Sequence, residues 1–346
     1  MKNSFQERFA CERIRISGRR MQADAELPGE GRGEAGKSAA TGRWLARPLR
    51  PPERSGKRGM MMPSRQTASE DAPARLVRAG GHAPVVLSCE HAANRIPERH
   101  AGLGIGDAVR QSHVAWDPGA AAVARHLAEA LDAPLVESTV SRLVHDCNRP
   151  AASAEAMPEK SEIHEIPGNR NLSEAERARR AREVYQPFHA LLAETIAAAR
   201  QRCRRANAPA LVTIHSFTPI YDARPRSVEI GILHDADSRL ADAMLTTTSA
   251  HTPLKVARNA PYGPEDGVTH TLKRHALPLG LPNVMIEIRN DLIATPRQQA
   301  DIARMLATWL SEALTRTDGA EKDIGKDDRA REGAAAGTLR RGAEAG

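Results

Sequence analysis

Three kinds of side chain in this 346-residue sequence stand where they could do chemistry. His91 follows an apolar, β-branched run in VVLSCEHAANRIP (85–97), and His215 lies near the end of a second one, PALVTIHSF (209–217). Two imidazoles and one carboxylate make the three protein ligands of a catalytic zinc site, with the fourth position left for water. Glu287 sits inside a third apolar run, NVMIEIRND (283–291). A carboxylate there is costly unless it is paired, metal-linked or protonated. Beside a water it is a candidate general base. The competing role is an ion pair with Arg289, which is two residues on and so points to the same strand face. Arg142 and Arg149 in SRLVHDCNRP (141–150) add two guanidinium forks of the kind that clamp a substrate carboxylate.

These residues need elements to position them. From about Arg75 to Thr317 short apolar runs alternate with helical patterns, which predicts an α/β domain with a central mixed, largely parallel sheet flanked by helices. Strands are expected over 83–88, in PLVEST, over 209–217 and 227–235, in LKVARNAPYG and over 283–291. GAAAVARHLAEALD (119–132) reads as a helix of strong formers. A long helix opens at Ser173 as N-cap, with a kink expected at Pro187. Others begin near Asp237, stop before Gly280 and start at Pro296. In open α/β sheets ligands bind at the carboxyl ends of strands. His91, His215 and Glu287 gather at those ends.

The two termini read differently. Residues 1–60 mix Gly, Pro, Arg and Ser without periodicity and hold 14 Lys or Arg against 7 Asp or Glu, an excess equal to the +7 of the whole chain. The division expected is a disordered basic extension over 1–74, a catalytic domain over 75–318 and a disordered tail over 319–346. Met60, Met61 or Met62 is an alternative start, so that translation of residues 1–60 is itself in question. The basic excess lies in a tail without interleaved aromatics, so no nucleic-acid partner is expected. No run reaches the length of a membrane span. Four cysteines without a C-x-x-C pair fit a reducing cytoplasm and argue against a disulfide scaffold. Cys89 beside His91 invites a cysteine-hydrolase reading, but adjacency in sequence is not the geometry such a pair needs.

The segments SCEHAANRIP, HVAWDPGA, SRLVHDCNRP, IHSFTP, VEIGILHD and LKRHALPLGLPNVMIEIRNDLI, in that order over roughly residues 83–293, resemble the N-formylglutamate amidohydrolase family. The fold of that family is similar to that of zinc carboxypeptidases, within the phosphorylase/hydrolase-like class. The resemblance implies zinc-dependent hydrolysis of an N-acyl amino acid such as N-formylglutamate, giving formate and the free amino acid, with a small-molecule substrate and no membrane partner. His91 and His215 match the two histidine ligands and Glu287 the general base. Arg142, Asn148 and Arg149 resemble in type the substrate-holding elements, and Arg289 joins them as a further substrate contact. One departure stands out. The first motif of carboxypeptidase-like enzymes is His-x-x-Glu, whereas Asn94 stands three residues after His91. A neutral amide is a poor substitute for a carboxylate ligand. Asp117 is therefore the first candidate for third ligand and Glu90 the second, Asp117 having helix N-capping as its alternative role. The missing glutamate also suggests a rival function, a small-molecule-binding or regulatory domain that keeps the fold without catalysis.

Overall fold

Seven short segments pair into one sheet: β1 (Ala74–Val77), β2 (Val85–Cys89), β3 (Leu135–Ser138), β4 (Ala210–Phe217), β5 (Ile230–Leu233), β6 (Val256–Arg258) and β7 (Asn283–Arg289). The computed structural model describes residues 71–203 and 208–317, all within one compact unit. The strand order is β1-β3-β2-β4-β7-β5-β6. The central four strands run parallel. β1 is antiparallel to β3, and β7 meets β5 antiparallel before β5 and β6 pair parallel. This is the mixed, largely parallel sheet expected. The edge strand β1 and two small hairpins, Lys160–Ser161 with His164–Glu165 and Ile220–Tyr221 with Arg224–Pro225, were not legible beforehand. Each is too short to show a period.

The central strands are apolar throughout because both faces are covered. On one face Val85, Leu87 and Cys89 of β2 pack with Val123 and Leu127 of α1 (Ala120–Leu131) and with Leu306 and Trp309 of the closing helix, residues 296–317. On the other face Val86 of β2 and Val136 of β3 meet Phe188, Leu192 and Ile196 of the helix Gln186–Arg202. Complete burial of a side chain such as Phe188 contributes on the order of 2–3 kcal/mol and leaves the strand ends as the place where polar groups can collect.

Ser173 caps its helix as expected, its side chain accepting from the Glu176 N–H. The kink expected at Pro187 takes another form: Ala181–Tyr185 makes a π turn just ahead of the proline, a wider turn that accommodates the N–H missing at Pro187. Gly280 ends its helix with φ +62°. The expectations for the two tails fall almost wholly on residues 1–70 and 318–346, outside those described. No described helix is long and apolar enough to cross a membrane.

Candidate active site

Because β2, β3, β4 and β7 run in one direction, their carboxyl ends share one edge of the sheet. β2 ends at Cys89 and delivers Glu90 and His91. His215 is the sixth residue of β4, and Glu287 lies directly opposite it in register on β7. Asp117 comes from the loop between β2 and α1, where its backbone N–H donates to the His91 carbonyl at 3.0 Å. The turn that releases α1 needs Gly119, which has φ +83° and sits against Ile293 where a Cβ would collide.

One carboxylate oxygen organises the centre. Asp117 Oδ2 lies 2.9 Å from His215 Nδ1 and 3.3 Å from His91 Nδ1, and it accepts the Ser216 N–H at 3.2 Å. The capping role is not taken, since α1 has Gly119 at its N-cap and no side-chain cap bond. The opposite nitrogen of each imidazole faces a second carboxylate. His91 Nε2 lies 2.8 Å from Asp146 Oδ1, and His215 Nε2 lies 2.9 Å from Glu90 Oε2, off the line a hydrogen bond prefers. Carboxylates behind histidines in this way fix the ring and leave the other nitrogen for a metal.

His91, Asp117 and His215 are all buried, and each offers an atom within 4.8 Å of the others, so together they can hold a metal ion. Charge argues the same way. Glu90, Asp117, Asp146 and Glu287 are four buried carboxylates, and the one guanidinium among them is Arg142, whose Nη2 donates to Asp146 Oδ2 at 2.7 Å and whose Nη1 is 3.6 Å from Asp117 Oδ1. With neutral imidazoles, as ligation requires, Glu90, Asp117 and Asp146 against Arg142 leave two negative charges in excess, and three when Glu287 is ionised. Each uncompensated buried charge costs several kcal/mol, so the donor set suits a dication.

The titration of these groups follows from the same geometry. For Asp117, burial opposes ionisation, but the charge of His91 and the hydrogen bonds from both histidines outweigh it and hold the carboxyl well below the usual carboxylate range. Glu90, likewise buried, is brought down to about 2 by its contact with His215. His215 is raised well above its ordinary value by Asp117 and Glu90 in spite of its burial. Glu287 goes the other way. Burial pushes its carboxyl up to about 7, with the Asp117 charge adding to the effect, and its Oε2 has no hydrogen-bond partner.

Of the residues singled out in the sequence, His91, Asp117, Arg142, Asn148, Arg149, His215 and Glu287 line one cavity of about 520 Å³, a size that suits a small-molecule ligand. Glu90 lies beneath it against His215. Asn94 is turned away and donates to Gln111. Arg149 is held by Glu155 and the Gly267 carbonyl, while Asn148 spans to the Val268 carbonyl and the Thr271 N–H. Arg289 does not line the cavity. Its guanidinium binds Asp291 and Glu229, and it makes no ion pair with Glu287. Asp146 escaped the sequence reading, although it is the single acid in SRLVHDCNRP. Nothing local links it to His91, 55 residues away in sequence, whereas the arginines on either side carry a substrate-binding pattern of their own.

The sequence pattern of N-formylglutamate amidohydrolases matches residues 83–294. The chain belongs to the N-formylglutamate amidohydrolase family. It is accordingly an amidohydrolase by family, acting on a small molecule. Among solved structures, a gene product of Agrobacterium tumefaciens is 55% identical with a TM-score of 0.68, over 71% of this chain and 96% of that one. An N-formylglutamate amidohydrolase from Ralstonia eutropha is 21% identical with a TM-score of 0.47, over 73% and 99% of the two chains. A metallo-carboxypeptidase from Burkholderia cenocepacia is 14% identical with a TM-score of 0.30, over 71% and 66%. No curated protein matches the chain.

Proposed function

We propose that this member of the family is a zinc-dependent hydrolase of N-acyl amino acids, N-formylglutamate being the parent substrate, with formate and the free amino acid as products. The observation that carries the reading is Asp117 Oδ2 shared between His91 Nδ1 and His215 Nδ1, with Glu287 opposite His215 in register. Two imidazoles and one carboxylate are a ligand set that suits zinc. Bound there, the ion supplies Lewis acidity to the amide carbonyl and to water.

The chain's own residues do the rest. Glu287, whose burial beside the Asp117 charge raises its affinity for a proton, acts in its ionised form: it takes a proton from water as the water oxygen attacks the acyl carbon, then passes that proton to the amine nitrogen as the C–N bond breaks. Water contributes its oxygen to the released acid and its hydrogens to the two products, so the step balances. Arg149 binds the α-carboxylate. Arg142 borders the same space while it holds Asp146 against His91, and Asn148 keeps the wall at Val268 and Thr271 in place. The rival reading, a binding domain without catalysis, drew on Asn94. Asp117 offers the carboxylate that Asn94 lacks, which favours the catalytic reading.

The test is elemental analysis of the purified full chain, alongside His91→Ala and His215→Ala, with N-formylglutamate hydrolysis measured on the same samples. The expected result is one zinc per chain and turnover in the parent, both lost in each variant. No metal in the parent after reconstitution would overturn the mechanism.

A further inference from the structure

The amide and the α-carboxylate leave the side chain of the substrate undetermined, and the far wall of the cavity bears on it. The whole chain has only three tyrosines, four phenylalanines and three tryptophans. Two of those tyrosines and one phenylalanine meet on a single guanidinium. The Arg226 carbon lies 4.6 Å from the Tyr221 ring centre, 4.7 Å from that of Tyr262 and 5.6 Å from that of Phe217. Arg226 Nη1 also donates to the Tyr262 hydroxyl at 2.9 Å. The three rings line the cavity, and Arg226 does not. It is a spine behind an aromatic wall, a cation on π faces that fixes the angles of the rings.

The hairpin carrying Tyr221 is tied from outside. At its tip the Asp222 N–H donates to Glu162 Oε1 at 3.0 Å, and Glu162 Oε2 lies 3.0 Å from His113 Nε2. That contact occupies the imidazole of His113, which also faces the cavity. Both lining arginines are likewise engaged, Arg142 by Asp146 and Arg149 by Glu155. Glu155 and Asp266 add two acids to the lining. A substrate with two carboxylates needs two forks. The acid beside Arg149, Glu155, is 69% exposed and can give way to the α-carboxylate, whereas every other cationic side chain among the described lining residues faces an acid that is buried or nearly so.

We propose that the substrate's side chain is aromatic or large and apolar rather than acidic, and that it packs on the wall of Tyr221, Tyr262 and Phe217 with Arg226 as the positioning residue. The proposal rests on the N-acyl amino acid hydrolase reading. It also gives Arg289 a place, since its Nη1 lies 3.4 Å from the Arg226 carbonyl and braces the segment from behind.

The test compares N-formyl-L-phenylalanine with N-formyl-L-glutamate on the zinc-loaded full chain, measuring both kcat/KM and calorimetric binding. The expected result is a preference of at least about tenfold for the phenylalanine compound, the range a shaped apolar pocket supplies. Tyr221→Ala should reduce that preference through KM, and Tyr221→Phe should restore it. Tyr221 is 41% exposed, so neither change threatens the fold. Hydrolysis with the glutamate compound preferred would overturn this proposal and leave the hydrolase reading standing. Tighter binding of the phenylalanine compound without turnover would do the reverse. Failure to bind either would overturn both.

Discussion

Two groups of histidines lie close together in this protein and behave in opposite ways. At the first, His91 and His215 are raised by the carboxylates of Asp117, Asp146 and Glu90. At the second, His189 meets His275 at 2.7 Å and the Cys147 carbonyl at 2.9 Å, and the Tyr185 hydroxyl lies 2.8 Å from His270. There, burial, neighbouring histidines and Arg274 push His189 down to about 2 and His275 to about 4. Burial is common to both groups and disfavours the charged ring in each. The carboxylates make the difference, for they give a buried imidazole surroundings in which a cation is favoured, whereas rings that face one another and an arginine are held neutral.

The comparison can be broken most directly at the metal. His91→Ala, His215→Ala and Asp117→Asn are each expected to lose bound zinc and all measurable turnover, while His189→Gln and His275→Gln keep stoichiometric zinc by elemental analysis. Zinc lost from the second pair instead would mean that the wrong group has been assigned. Next in size, Glu287→Gln should retain zinc and lower kcat about 10²- to 10⁴-fold, the usual worth of a general base.

Asp146→Asn separates ligand from support. It leaves the three donors in place but removes the anion behind His91, and metal affinity measured by chelator competition should fall about 10- to 100-fold. The pH profile sharpens the contrast further. A general base works ionised, so kcat/KM should fall about tenfold per pH unit once Glu287 is protonated. Its carboxyl stands at about 7 without an ion, and a bound dication moves that limb toward acid. Glu287→Gln should flatten it.

The smallest effect belongs to the second group and concerns stability. The folded value of His189 lies below its ordinary 6.5, so the unfolded chain binds the proton more readily. Stability is therefore full above about pH 6.5 and declines as pH falls. The loss should reach roughly 1–2 kcal/mol near pH 5 for this one group. Denaturant midpoints between pH 5 and 8 should show that slope in the parent and a shallower one in His189→Gln.

The sequence by itself determined the central strands of the sheet, the main helices and the edge where chemistry collects. Apolar β-branched runs such as 209–217 and 283–291 leave little alternative to buried strands, and polar residues can follow only where those strands stop. It also put His91, His215 and Glu287 within reach of one another. Only the tertiary structure ruled out the capping role of Asp117 and turned its carboxylate toward His91 and His215, because a cap and a candidate ligand have the same residue type and differ in which way the carboxylate turns. The same holds for Arg289, where equal strand phase with Glu287 did not carry it into the cavity, since Asp291 and Glu229 offered closer partners. Asp146 behind His91, 55 residues away in sequence, and the aromatic wall on Arg226 arise from contacts between distant segments. Local pattern carries no record of such contacts, because they depend on how the loops at the sheet's edge pack together.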